Sequence, residues 1–570
     1  MSLKHLLSAL SLASLSAANF PRLDLRADAT IKWSTCDPKA FNTTLTSDCA
    51  NFTVPLDYTS PNATETIVLE LARIKAPIQP AKGTILLNFG GPGSPGRSEL
   101  AGQASTLLAL SGNEYNLAAF DPRATANTIP EICFKTQSEQ RDFIKAQTWY
   151  DLNGTTLASM WKRATVNSDM CYEAHKKTQP FVGTAFVARD LISVVDALGE
   201  DGMLRYWGFS YGTTLGATVA AMFPDRIDKL VIDGVQNPHQ YYHANADYEE
   251  WTDSDRVFAE VFRSCEAAGP KACPMAVGNL TAVQMETAAW NIAEKLKTAP
   301  IPVNGSAPLD YTVMRGFFAY AVYGPSTWPS LSALLTFVAS NQTNSPEFVK
   351  TYNAMYKGLI LGPLPIYPAL YAIHCSDRIP RLQTVDEFRP VQARLSKTSK
   401  VMDGASTDLS MVCAQWKTDA VERYLGDFHA KTKNPILVAS NKYDGHTPLV
   451  SAHNVSSGFA GSGLLVVNGF GHTTLSQPSI CTIKNTAAYW HNGTFPAKDF
   501  VCDVDGAPYS NYSWKDAINA VYGVKSNNSG QGAPGSQTPP PTNGGGIVDY
   551  KASNLVSATV ISVLVGLTLL

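Results

Sequence analysis

The spacing of apolar and polar residues changes along the chain, and each change marks a different kind of segment. Thr66 to Ile74 alternates apolar and polar side chains, the period-two pattern of a half-buried strand. Trp33 to Tyr58, with Cys36, Cys49 and three early turns, leads into it, so the two read as an entry hairpin. Gly83 to Asn88 contains Thr-Ile-Leu-Leu, a short apolar run of the sort found in buried strands of parallel sheets. Tyr115 to Phe120 is a second such run and ends at Asp121-Pro122-Arg123. Phe186 to Leu198 then has helical spacing, Leu204 to Phe209 reads as a strand, Tyr211 to Phe223 as a helix and Lys229 to Asp233 as a strand. Strand and helix in alternation predict an α/β architecture with a mostly parallel sheet.

After Gln236 the alternation stops. Helical patterns occur at Val257 to Ala268, Ala282 to Leu296, Leu331 to Val338 and Val421 to His429, separated by Pro- and Gly-rich connections. Strand signals return at Pro435 to Ser440 and Leu464 to Val467. The expected organisation is a core over 19–235 and 434–525, interrupted by a mainly helical insertion over 236–433. No internal repeat is visible.

The two ends differ from this body. Met1 to Ala18 has Lys4, an apolar stretch through Leu15 and small residues at Ser16 to Ala18, the layout of a secretory signal. A buried N-terminal helix is the alternative, but the apolar residues cover every face instead of one stripe. Residues 526–546 form a low-complexity Asn, Ser, Gly, Gln and Pro linker, and 547–570 finish in Leu555 to Leu570, a run of 16 residues without charge. A spanning helix needs about 20 apolar residues. The pattern fits a removable lipid-anchor signal with Asn543 as attachment residue, the alternative being a short tail anchor.

Composition adds the compartment. The 570 residues are 45% hydrophobic and 16% charged with a formal charge of −3, and the basic residues are scattered, which excludes a nucleic-acid surface. Ten cysteines lack any Cys-x-x-Cys pair, which removes zinc and thioredoxin-type readings and leaves five disulfides as the economical one. Nearest-neighbour pairing joins Cys36 with Cys49, Cys133 with Cys171, Cys265 with Cys273, Cys375 with Cys413 and Cys481 with Cys502, although sequence alone does not determine connectivity. Asn-x-Ser/Thr occurs at 11 positions, Asn42, Asn51, Asn62, Asn153, Asn279, Asn304, Asn341, Asn454, Asn492, Asn511 and Asn527, where composition alone gives roughly five. A glycosylated, exported protein held at the outer cell surface is the expectation.

Chemistry enters at strand ends. Gly208-Phe209-Ser210-Tyr211-Gly212 stands where the Leu204 strand meets the Tyr211 helix. Small residues two before and two after Ser210 allow a cramped turn that lifts the hydroxyl out at the edge of the sheet. A Gly-rich packing turn is the alternative reading of the string alone. A serine hydroxyl needs a base, and the base needs a carboxylate to hold its tautomer. Asp444 follows the strand at Pro435 and His472 follows the strand at Leu464, so Ser210, Asp444 and His472 each fall just beyond a strand. His446 and Asp233 are rivals for base and acid. Thr447 either bonds the Asp444 carboxylate or caps the following helix. Asn88-Phe89-Gly90-Gly91-Pro92-Gly93 follows an earlier strand, where Gly91 and Tyr211 can present N–H groups to a developing oxyanion. No metal and no organic cofactor is needed.

These strings together with Asp233-Gly234-Val235, Tyr443-Asp444-Gly445-His446-Thr447-Pro448, Cys375-Ser376-Asp377 and Cys413-Ala414-Gln415-Trp416 resemble the secreted tripeptidyl-aminopeptidase-like branch of the prolyl aminopeptidase family. The likeness spans about residues 50 to 500. It implies an α/β-hydrolase fold with a large inserted, mainly helical cap domain, a Ser/Asp/His triad, and cleavage at free peptide N-termini. The chain departs from that pattern at Phe89, where the family more often has Pro or His, and at Ser94, Pro95, Ala124 and near Ala126, where it usually has glycine, so the walls beside the triad are expected to differ.

An aminopeptidase must hold a cationic amine, which in a partly buried site calls for carboxylates. Glu249, Glu250, Asp253 and Asp377 are candidates by location, a solvated acidic surface being the alternative. The leading expectation is a serine peptidase acting on a peptide substrate. An esterase or lactonase acting on small exported molecules is the second, and a non-catalytic cell-wall or adhesion protein on a hydrolase scaffold the third.

Overall fold

The computed structural model describes residues 30–145, 152, 154–360 and 366–523. The leader at 1–18, Asn153, Asn527, the 526–546 linker, and the 547–570 segment with the adjoining Asn543 lie outside them.

Ten strands form one sheet: β1 Ser34–Thr35, β2 Ser47–Pro55, β3 Thr66–Ile74, β4 Thr84–Asn88, β5 Asn116–Phe120, β6 Leu204–Phe209, β7 Ile227–Asp233, β8 Leu437–Tyr443, β9 Gly463–Phe470 and β10 Val501–Asp503. Their order across the sheet is β1-β2-β3-β5-β4-β6-β7-β8-β9-β10. The entry hairpin is antiparallel, β3 joins β5 antiparallel, and from β5 to β10 every pairing is parallel.

The central strands are apolar throughout because both faces are covered. Every residue of β4 and of β6 is buried. Register sends Leu86, Tyr206 and Leu230 to one face and Leu87, Trp207, Val231 and Leu437 to the other. The first set packs with Phe186 and Leu215 of helices Thr184–Leu198 and Tyr211–Met222. The second packs with Leu100, Ile483 and Ala517 of helices Gly96–Leu110, Ile480–Asn492 and Trp514–Tyr522. Each such aliphatic or aromatic side chain, fully buried, contributes about 1.5–3 kcal/mol.

Between β7 and β8 the described residues contain helices and no strand. Helices Ser254–Ala268, Ala282–Lys295 and Trp328–Ala339 occupy three of the windows expected to be helical. The fourth is a correction: Val421–His429 is bends and open turns. Val421 and Leu425 are 52% and 67% exposed, and the segment buries Phe428 against Tyr242 at 5.9 Å without forming a helix. The Val421 N–H instead donates to Pro180 O at 2.9 Å, which straps the segment across the molecule. The helical body also extends beyond the insertion, since helix Gly154–His175 joins it. Trp161 stacks on Phe388 at 5.7 Å and Ser168 Oγ donates to the Gln415 carbonyl at 2.9 Å.

All five disulfides join nearest neighbours in sequence, as expected.

Candidate active site

Ser210 lies between β6 and the Tyr211–Met222 helix with φ 56° and ψ −127°. A non-glycine residue in such a region costs about 1–3 kcal/mol and persists only where its surroundings hold it. They do so here. The Ser210 N–H donates to Asp233 O at 3.1 Å, and the Ser210 carbonyl accepts Thr213 N at 2.8 Å and Thr213 Oγ1 at 2.5 Å. The flanking glycines are forced by contact: a Cβ on Gly208 would stand 2.1 Å from Gly212 O, and one on Gly212 would stand 2.5 Å from Asn88 O.

Asp444 and His472 follow the ends of β8 and β9. His472 Nδ1 lies 3.1 Å from each Asp444 carboxylate oxygen. The carboxylate also accepts the N–H groups of His446, Thr447 and Thr473, all at 2.9 Å. Thr447 Oγ1 donates to it at 2.9 Å, so of the two roles open to Thr447 the structure shows the bond to Asp444. Burial pushes the Asp444 carboxyl up, but the His472 charge and the hydrogen bonds outweigh it, and the group is held below its ordinary range.

Asp233, the rival acid, joins the nucleophile turn to the histidine loop. Its carbonyl takes the Ser210 N–H, and its carboxylate accepts Thr474 N at 2.8 Å and Thr474 Oγ1 at 2.5 Å. Burial pushes this carboxyl up to about 6. No hydrogen bond joins Ser210 Oγ to His472 among the described residues, and such contacts often tighten only once substrate is bound.

The glycine loop after β4 is seated on the nucleophile turn. Gly90 has φ 89°, and a Cβ there would stand 2.7 Å from Ser210 Cβ and 3.1 Å from Tyr211 N. Asn88 Oδ1 holds the Gly90 N–H at 3.0 Å. The N–H groups of Gly91 and Tyr211 donate to no protein group among the described residues. Phe89 is 3% exposed and stacks on Phe209 at 5.9 Å, so this departure sits in the core. Ala124 and Ala126 have φ 67° and 49°, keeping the left-handed backbone that glycine would adopt without strain.

The four acidic candidates separate. Asp377 is fully buried and accepts Thr184 N, Thr184 Oγ1 and the Tyr241 hydroxyl, so it binds the N-terminus of the Thr184–Leu198 helix. Thr184 Oγ1 in turn lies 2.5 Å from the Tyr211 hydroxyl. Glu249 accepts from Asn237, Ser451 and Asn454 at 3.0, 2.6 and 3.1 Å, which ties the insertion to helix Leu449–Gly458. Glu250 keeps a single weak partner, Gln236 Nε2 at 3.4 Å. Burial, then the neighbouring Asp247 and Asp444 charges, push its carboxyl well up. Asp253 is partly buried, and its carboxyl is raised by burial and by the Asp444 charge.

One residue of this region, Tyr323, was not singled out by the sequence. Tyr323, between helices Tyr311–Ala321 and Trp328–Ala339, accepts the His472 N–H on its carbonyl at 2.8 Å. Its ring lies 3.9 Å from that of His446, which is 1% exposed. Nothing local in a helix-to-helix connection signals such contacts.

Residues 83–266 match the family model described as alpha/beta hydrolase fold, and residues 399–502 match TAP-like protein. Ser210 lies in the first segment, Asp444 and His472 in the second. Serine protease Hip1 of Mycobacterium tuberculosis is 26% identical over 476 residues, covering 80% of this chain and 87% of that protein. Tripeptidyl aminopeptidase of Streptomyces lividans is 26% identical over 514 residues, covering 85% and 88%. Carboxylesterase B of Mycobacterium tuberculosis is 25% identical over 498 residues, covering 82% and 89%.

Proposed function

We propose that this chain, an α/β-hydrolase of the tripeptidyl-aminopeptidase-like family, is an exported serine peptidase that removes short peptides or single residues from free N-termini. One observation carries the reading: the His472–Asp444 pair, with Nδ1 3.1 Å from both carboxylate oxygens, follows the strand ends, and Asp233 ties the loop of His472 to the turn of a strained Ser210.

In the proposed reaction Ser210 Oγ attacks the scissile carbonyl and His472 Nε2 takes its proton. Asp444 holds the Nδ1–H tautomer and stabilises the imidazolium. The oxyanion is received by the N–H groups of Gly91 and Tyr211, each such donor being worth about a hundredfold or more in rate. The imidazolium then returns its proton to the leaving amine, and water repeats the sequence on the acyl-enzyme to free the carboxylate product.

Glu250 is the carboxylate best suited to the substrate ammonium, because it is the one left with a single long hydrogen bond in a field of like charge. A cation there relieves both burial and repulsion. Asp253 adds to the same field, whereas Glu249 and Asp377 are engaged elsewhere. The helical insertion acts as the cap that selects substrate.

Export with N-glycosylation is supported by exposure: Asn42, Asn51, Asn62, Asn279, Asn304, Asn341, Asn454, Asn492 and Asn511 are all exposed, whereas Asn88, Asn167 and Asn441, outside such motifs, are buried. Five disulfides agree with an oxidising compartment. Attachment of a lipid at Asn543 would hold the enzyme at the outer surface.

A second reading, an esterase or lactonase, is favoured by the carboxylesterase among the relatives. Both are tested by one panel: fluorogenic X-Pro-Phe, Pro and Ala substrates with free or acetylated N-termini and a short-chain ester, given to wild type and Ser210→Ala. Cleavage of free-amine peptides alone, lost in Ser210→Ala, upholds the exopeptidase. Ester cleavage without peptide cleavage replaces it with the second reading.

A further inference from the structure

His446 is the anomaly of the site. It is 1% exposed, yet neither Nδ1 nor Nε2 has a hydrogen-bond partner among the described residues. A buried polar group left unpaired costs about 1–3 kcal/mol. Among the described residues its ring meets Tyr323 at 3.9 Å, His472 at 5.1 Å and Trp251 at 5.8 Å. No hydrogen bond of either ring nitrogen to the described residues has to be broken for the ring to turn toward its neighbours.

Those neighbours are a carboxylate and a second imidazole. One ligand atom from each of Asp444, His446 and His472 lies within 4.8 Å of the other two. Two imidazole nitrogens and one carboxylate oxygen are a donor set for zinc, with bonds of about 2.0–2.2 Å to such atoms. Tetrahedral ligands on such bonds stand about 3.3 Å apart, and His472 Nδ1 already lies 3.1 Å from Asp444. Those two need hardly move; His446 alone must approach. Hard ions such as Mg²⁺ prefer six oxygen ligands and find no match.

The geometry points to an inhibitory zinc site made by Asp444, His446 and His472, with water as fourth ligand. Zn²⁺ takes the Nδ1 lone pair of His472, and the ring proton moves from Nδ1 to Nε2. No proton is lost, but Nε2 can no longer accept the Ser210 proton. Zinc therefore stops turnover by holding the wrong tautomer, and a chelator restores it. The inhibition rests on the serine-hydrolase reading; the binding does not.

The test titrates Zn²⁺, with Mg²⁺ as control, into the full chain and reads peptide hydrolysis in wild type and His446→Phe, which keeps the aromatic packing. Wild type should be inhibited reversibly by Zn²⁺ alone, and His446→Phe should need at least about tenfold more zinc while retaining its hydrolysis in metal-free buffer. His446→Leu repeats the measurement if the phenyl ring overfills the site, melting curves in chelator checking both folds. Equal inhibition of wild type and variants, or none of an active wild type, overturns the site. If no substrate is turned over, Co²⁺ absorption reads binding directly: intense tetrahedral bands in wild type, absent in His446→Phe, support it, and identical or absent bands in wild type overturn it.

Discussion

Asp233 holds Thr474 by two hydrogen bonds, from the backbone N–H at 2.8 Å and from the hydroxyl at 2.5 Å, across 241 positions of sequence. Through this pair the strand that receives the Ser210 N–H also anchors the loop carrying His472. Asp233→Ala should leave Thr474 unpaired, at about 1–3 kcal/mol, and lower kcat at least about tenfold with a smaller change in KM. Asp233→Asn retains an acceptor for the N–H and should recover most of the loss. Steady-state kinetics of the two variants check the role, and equal defects would reduce Asp233 to a packing residue.

Substrate charge gives the second expectation. Glu250→Gln keeps the shape of the side chain and removes the charge proposed to meet the ammonium. KM for free-amine peptides should rise about tenfold or more, with ester turnover unchanged. A variant that loses both activities equally would place Glu250 in the support of the triad instead.

A buried acid far from this chemistry sets a pH dependence of stability. Glu99 is 1% exposed, takes one bond from Gln103 at 3.0 Å, and is pushed by burial up to about 8. Its folded pKa exceeds the unfolded value of about 4.5, so its favourable contribution is complete below that value and is lost as pH rises toward 8. Glu99→Gln should melt higher than wild type at pH 8, and the difference should shrink toward pH 5. Melting temperature across that window decides it.

The disulfides are expected to differ in weight. Cys375–Cys413 closes a sequence separation of 38 and Cys265–Cys273 one of 8. Loop entropy assigns them about 4 and about 2.5 kcal/mol. Replacing the first pair by alanine should lower the denaturation midpoint more than replacing the second.

Much of this molecule is legible without coordinates, because the signals are local. The apolar runs of β4 and β6 are buried on both faces, and Gly208 and Gly212 are small because a Cβ would strike Gly212 O and Asn88 O. Asp444 and His472 could be placed because each directly follows a strand or is two residues beyond one. The same local reasoning failed at Val421–His429, where Phe428 is buried against Tyr242 while Val421 and Leu425 stay exposed and no helix forms. It also did not assign helix Gly154–His175 to the helical body, since the partners Phe388 and Gln415 lie more than two hundred residues away.

The sequence by itself determined the alternation of strand and helix and the Ser-Asp-His order at strand ends, while the pairing of the cysteines, open in the sequence, is decided by the structure. The alternation and the order depend on residue period and on turn chemistry. Only the tertiary structure decided which acids are free. Asp377 is taken by Thr184 and Tyr241, Glu249 by Ser451 and Asn454, while among the described residues Glu250 is left with Gln236 and the ring nitrogens of His446 with no hydrogen-bond partner. The physical reason is that hydrogen-bond satisfaction and the field at a carboxylate are set by groups brought close in space, and no periodicity along the chain encodes which distant segments those are.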